Sequence, residues 1–209
     1  MLNKQDYQFK EKVSVNLPTK YGDFVLVVYE NEFGECHLAL VYGNVFGKSG
    51  VPVRIHSSCI TGETFGSLKC DCGEQLNKSL SFIRNYGHGV LIYLFQEGRG
   101  IGLVDKLRAY KLQEGGLDTV EANLKLGLPA DARKYEVAAE IIKQLGIKTV
   151  SLISNNPDKV NSIHGLGIKT ERIVNLPVTV NGHNKKYLYT KAQKLGHRLY
   201  LTGGTYDKT

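Results

Sequence analysis

Several features are missing from this 209-residue chain, and each absence removes a class of function. No apolar run approaches the ~20 residues that cross a bilayer, so no membrane-spanning helix and no membrane partner are expected. The opening stretch, residues 1–12, is polar and holds no apolar h-region, so it does not read as a signal peptide and points to the cytoplasm. There is no internal repeat and no Pro/Gly/Ser-rich linker. No Gly-Lys-Ser/Thr Walker element occurs, and Leu103 stands where a G-x-G-x-x-G fingerprint would need its third glycine. The His-x-Glu and Pro-Cys-x-x-Cys pair of the base deaminases is absent too. Cysteine is sparse, with four in all, and in a reducing cytosol these are not expected as disulfides.

What is present is an ordinary globular composition, 42% hydrophobic and 22% charged, enough for one domain with a buried core and against a disordered chain. The net charge of +7 suits an anionic partner, either a nucleotide or a nucleic acid, although it also serves solubility. Lysines are scattered and no stacking aromatics accompany them, so a zinc-stabilised nucleic-acid-binding module is the weaker alternative.

Three of the cysteines, Cys59, Cys70 and Cys72, fall within fourteen residues. Thiolates are soft ligands that favour zinc, and Cys-x-Cys can chelate from one turn. Three sulfurs with no obvious fourth ligand favour a catalytic site that keeps a position for water. Cys36 or His56 as a fourth ligand, or simple burial of cysteines as small hydrophobes, are the alternatives at this point.

Periodicity gives strands at 24–29 and 38–42, antiparallel, with 51–56 as a third, then a helix from Glu74 carrying Leu76, Leu80 and Ile83 on one face. A buried strand at 90–95 leads into a glycine-rich turn, 96–102, whose backbone N–H groups and Arg99 suit phosphate oxygens. Helices are expected at 103–112, 119–126, 135–145, 157–164 and 188–195, and a strand at 150–154. The fold class is α/β (α+β), a mixed sheet with antiparallel N-terminal strands covered by helices.

Seven segments in order, 54–59, 67–76, 96–103, 118–123, 131–133, 154–157 and 188–197, resemble the motifs of GTP cyclohydrolase II. The resemblance runs from about residue 16 to 199 and implies one catalytic domain over 1–209 with short polar tails. It implies that Cys59, Cys70 and Cys72 hold one Zn2+ per subunit, which activates water against C8 of guanine in GTP, and that Mg2+ accompanies the triphosphate. Asp131 and Arg133 match the family's general base and nucleophile, and Tyr110 a tyrosine near the base. A protonated guanidinium is an awkward nucleophile, so Arg133 as a phosphate clamp stands beside the covalent scheme. Arg54, Ile55, His56, Ser57, Ser58, Gln75, Glu97, Gly98, Arg99, Thr119, Ser154 and Lys159 match substrate contacts, with Arg99 and Lys159 suited to phosphate and Glu97 or Gln75 to the guanine edge. A homodimer is implied by the same likeness.

Ser58 stands where the family usually has glutamate, Leu94-Phe95 replaces a polar pair, and Leu128-Pro129 replaces Gly-Phe. The first two remove charge near the expected pocket and leave room for a divergent relative with another nucleotide or product. The butanone-phosphate-forming domain fused in some relatives is not expected here.

Overall fold

A computed structural model describes residues 8–202. Residues 1–7 and 203–209 of the expected polar tails, including most of the stretch read for a signal peptide, lie outside the described residues. The chain runs β1 (Lys10–Thr19), β2 (Gly22–Glu30), β3 (Cys36–Tyr42), β4 (Val51–Ser57), α1 (Ile60–Glu63), α2 (Cys72–Tyr86) and β5 (Gly89–Leu94). A 3-10 turn (Glu97–Gly100) follows, then α3 (Leu103–Glu114), α4 (Thr119–Lys125), α5 (Glu136–Gln144), β6 (Val150–Ile153), α6 (Pro157–Gly165), β7 (Thr170–Val174), β8 (Val178–Thr179), α7 (Lys185–Gln193) and β9 (Leu201–Thr202).

Seven strands make one mixed sheet in the order β1-β2-β3-β5-β4-β6-β7. β1, β2, β3 and β5 pair antiparallel, whereas β5, β4, β6 and β7 are parallel neighbours. The expected antiparallel pair 24–29 and 38–42 is found as β2 and β3, with Val27 opposite Ala39. The third strand is different: β4 is parallel to both of its partners. Val51, Pro52, Val53, Ile55 and His56 are all buried, the signature of a strand covered on both faces, which apolar pattern alone does not separate from an antiparallel one. β1 and β7 are not marked in the sequence because both are edge strands with little burial, β1 opening with Lys10, Glu11 and Lys12.

Two apolar layers cover the sheet. Val90, Ile92 and Leu94 of β5 point into the layer of Ala138, Ile141 and Ile142 from α5, while Leu91 points into the layer of Leu80 and Ile83 from α2. Each fully buried valine, leucine or isoleucine among them contributes roughly 1.5–3 kcal/mol. α2 ends at Gly87, whose φ of 89° is the left-handed cap that lets the chain turn back into β5. Asn156 caps α6 through Asp158 N, with Pro157 in its first turn, as that sequence leads one to expect. Asp118 caps α4 in a reciprocal box with Glu121.

This topology decides where a site can form. From β4 the chain crosses to β5 on one side, and from β5 it returns past β4 to β6 on the other. The loops leaving the carboxyl ends of β4, β5 and β6 therefore diverge around a crevice, the usual place for a ligand in such sheets.

Candidate active site

The first of those loops carries Cys59, two residues beyond β4 and buried. Cys70 and Cys72 come from the turn that opens α2. The three sulfurs lie within 4.8 Å of one another, and Cys59 Sγ is 3.7 Å from Cys70 Sγ. Ligands about 2.3 Å from a tetrahedral zinc are separated by about 3.8 Å, so the spacing fits an ion. Two glycines let the strands of chain approach this closely. A Cβ on Gly62 would sit 2.7 Å from Cys70 Sγ, and one on Gly73 would sit 2.4 Å from the Gly62 carbonyl oxygen.

The protonation pattern of the cluster points the same way. Hydrogen bonds from Cys70 and Cys72 lower the pKa of Cys59, and that sulfur in turn pushes Cys70 up to about 11 and raises Cys72. The three sulfurs thus share protons through mutual hydrogen bonds, a donor set that a divalent cation would engage by replacing those protons. Among the described residues no fourth side chain joins the cluster. Cys36 opens β3 opposite Glu30, and His56 is held by Glu63, Nε2 to Oε1 at 2.8 Å, so neither expectation of a fourth ligand holds. Burial keeps His56 neutral, and Tyr93 donates to the other oxygen of Glu63 at 2.7 Å.

The loop after β5 braces the first. Glu97 accepts from Ile60 N (2.7 Å), Gly98 N (2.8 Å) and Lys106 Nζ (2.8 Å). Both of its oxygens are therefore engaged by protein, and Gln75, whose buried Nε2 has no protein partner, is the freer of the two groups expected at a guanine edge. Gly98 and Arg99 both take left-handed φ, at 62° and 60°, and Arg99 is the one non-glycine residue described in that region. Such a backbone costs of order 1–3 kcal/mol and persists where its surroundings fix it. Those surroundings are residues 131–134: Ala132 N donates to Arg99 O at 3.0 Å, Gln96 bonds Lys134 O at 2.8 Å and accepts from its N at 3.2 Å, and a Cβ on Gly100 would meet Ala132 at 2.9 Å.

The same extended segment puts Asp131 and Arg133 side by side. Arg133 Nε reaches both carboxylate oxygens, at 2.9 and 3.1 Å, and Nη2 adds a third bond. Burial opposes both charges, yet each holds the other ionised: Asp131 lies below its ordinary pKa and Arg133 above it. Arg133 lines a cavity together with Arg54, Arg99, Lys106, Lys159 and Lys191, against the two carboxylates Asp71 and Glu97, so the wall is strongly positive. Arg54 Nε and Arg99 Nη1 are buried without protein partners. Lys159, with Nζ on Ile55 O at 2.7 Å, has its pKa driven well down by burial and by Arg54 and Arg133. Cations forced together with unused donors make a receptor for a polyanion. Tyr110 faces the cavity from α3, and burial raises its pKa to about 12, which keeps a proton on its oxygen.

The remaining expectations sort by position. His56, Ser57, Ser58, Gln75, Gly98, Thr119 and Ser154 line the cavity with the three cysteines. Ile55 does not; its side chain is in the core, and only its carbonyl takes part. Asp131 stands behind Arg133 and not on the wall. Of the unusual residues, Ser58 lines the cavity, whereas Leu94 is buried in the core and Phe95 is half-exposed beside His37 and Tyr93. Sequence reasoning missed Lys106, Asp71, Tyr187, Lys191 and His197, all on the wall. Lys106 was detectable in principle, being one helical turn before Tyr110 on the same face of α3. Nothing local marked the Asp71–Lys191 pair, whose Nζ lies 2.9 Å from both carboxylate oxygens across 120 residues.

Comparison with known proteins gives these elements a context. Residues 10–175 match the family model described as GTP cyclohydrolase II. The chain is 48% identical over 181 residues to the GTP cyclohydrolase-2 of Picrophilus torridus, covering 87% of this chain and 94% of that protein. It is 50% identical over 194 residues to the riboflavin biosynthesis protein RibBA of Bacillus subtilis, covering 92% of this chain and 49% of that protein. The RibBA of Bacillus mycoides is 50% identical over 191 residues, covering 91% of this chain and 48% of that protein. The chain thus spans about half the length of the RibBA relatives it matches.

Proposed function

Because this chain belongs to the GTP cyclohydrolase II family, we propose that it opens the guanine imidazole ring of GTP, releasing formate and pyrophosphate in the first step of riboflavin synthesis. The observation that carries the reading is the adjacency of the three-sulfur cluster to a cavity walled by six basic side chains. Zn2+ held by Cys59, Cys70 and Cys72 would supply Lewis acidity and activate water at neutral pH.

The chain's own residues do the rest. Arg54, Arg99 and Lys159 bind triphosphate oxygens, which relieves their mutual repulsion, and Mg2+ travels with the triphosphate. Gln75 meets the guanine edge with its free amide. Tyr110 holds a proton and donates it to the opening ring. Asp131 holds Arg133 as a protonated fork, so Arg133 clamps the α-phosphate while a water attacks its phosphorus, giving up a proton as pyrophosphate departs. Thr119, Ser57, Ser58 and Ser154 line the remaining wall. Residues 1–209 act as one catalytic unit in the cytoplasm; no helix among the described residues is long and apolar enough to cross a membrane. Leu103, Val104 and Leu107 expose one apolar face of α3, which suits a homodimer.

The test is incubation of zinc-loaded protein with GTP and Mg2+, with products identified by mass. Formate, pyrophosphate and a diaminopyrimidinone ribosyl phosphate are expected, with ring opening abolished by Cys70→Ser. An unopened guanine, or a formamidopyrimidine as the end product, would overturn the reading.

A further inference from the structure

We propose that Lys106 is a positioning residue that tunes the metal centre, donating to the Cys59 sulfur and so drawing electron density from one of three thiolates around one divalent ion. The inference rests on the reading that Cys59, Cys70 and Cys72 hold that ion. Three thiolates and a dication sum to one negative charge, and the excess sulfur donation weakens the ion's pull on a fourth ligand. An ammonium that hydrogen-bonds one sulfur withdraws density from it, even though the charge of Glu97 balances that of the ammonium itself.

The geometry is that of a built contact. Lys106 Nζ lies 3.1 Å from Cys59 Sγ, 2.8 Å from Thr61 Oγ1 and 2.8 Å from Glu97 Oε1, so each of its three donors has one partner. Its side chain is 9% exposed, which removes most solvent screening from its effect on the sulfur. An ion pair with Glu97 alone would leave the ammonium free to turn away from the cluster, whereas Thr61, two residues after Cys59, holds it there. Gly98 makes the approach possible: a Cβ at that position would come within 3.0 Å of Lys106 Cβ. Among the described residues, the hydrogen bonds that shift Cys70 and Cys72 come from the other cysteines and not from a cation.

The experiment uses the full chain loaded with Co2+, whose sulfur-to-metal charge-transfer bands report electron density on the sulfurs. In Lys106→Met the ion should remain bound and the bands should move to lower energy, while Lys106→Arg should stay close to the unaltered chain. The ascending limb of the pH–rate profile with GTP should move up by about one unit in Lys106→Met and be restored in Lys106→Arg. Unmoved bands in a cobalt-loaded, folded Lys106→Met protein would overturn the proposal. Should that variant fail to fold, the unaltered chain decides: the 15N resonance of the Lys106 ammonium shifts on cadmium loading, and an unchanged resonance overturns the proposal equally. The spectra need no substrate, so a chain with the expected band shift and no turnover of GTP would sink the proposed function and leave this inference standing. A chain that binds no cobalt would sink both.

Discussion

His197 shows how strongly the cavity wall constrains a single residue. Burial, and then Lys191, Arg99, Arg133 and Lys159, push its pKa down to about 2, so the folded chain keeps it neutral. In the unfolded chain a histidine titrates near about 6.5. Between those values the unfolded state binds a proton that the folded state refuses, so stability falls as pH drops below about 6.5, by about 1.4 kcal/mol per unit. Denaturant titrations at pH 6.5 and 5.5 should therefore show a smaller loss, by about 1 kcal/mol, in His197→Asn than in the unaltered chain. Equal losses would mean that the imidazole takes its proton in the folded state. Arg133 is the opposite case. There the neighbouring carboxylate favours the charged form, and the proposed clamp rests on that contact; retained activity in Arg133→Lys would sink the covalent scheme and lost activity the plain clamp.

At the scale of elements, the metal loop depends on two glycines more than on any helix propensity. Gly62 has no positive φ to demand it, and its only requirement is room beside Cys70 Sγ. Gly62→Ala should leave the fold intact and weaken metal binding on the order of 10-fold or more in a competition with a chelator, a size typical of disturbed ligand support. Gly165→Ala, where an added Cβ meets nothing within 4 Å, is the control. Unchanged affinity in Gly62→Ala would show that the loop has slack. Much of this level was legible in the sequence. The helical stripe Leu76, Leu80 and Ile83, the Pro157 start and the buried run at 90–95 gave elements within a few residues of those found. What escaped was set by partners, not by pattern. β4 reads the same whether its neighbours run parallel or antiparallel, and β1 is an exposed edge paired only with β2, so burial leaves no mark on its pattern.

Across the whole molecule, the C-terminal segment is fastened to the metal loop. Asp71, set between two of the sulfurs and buried, holds Lys191 of α7; Glu74 of α2 accepts from Thr179 N at 3.0 Å and Lys78 donates to Pro177 O at 2.8 Å. Lys191→Met would leave a buried carboxylate unpaired and should cost about 3–5 kcal/mol of folding stability by denaturant unfolding, with part recovered in the Asp71→Asn double variant. A cost below about 1 kcal/mol would mean that water reaches Asp71. The cysteines were visible in sequence because metal ligands announce themselves by residue type and spacing. A salt bridge across 120 residues carries no such mark, and the cationic wall assembles only when loops from three strands meet. The most direct check on the account is X-ray absorption at the zinc edge on protein that turns over GTP. Three sulfur scatterers at about 2.3 Å and one lighter atom are expected. Active protein without zinc, or an ion bound by fewer than three sulfurs, would contradict it.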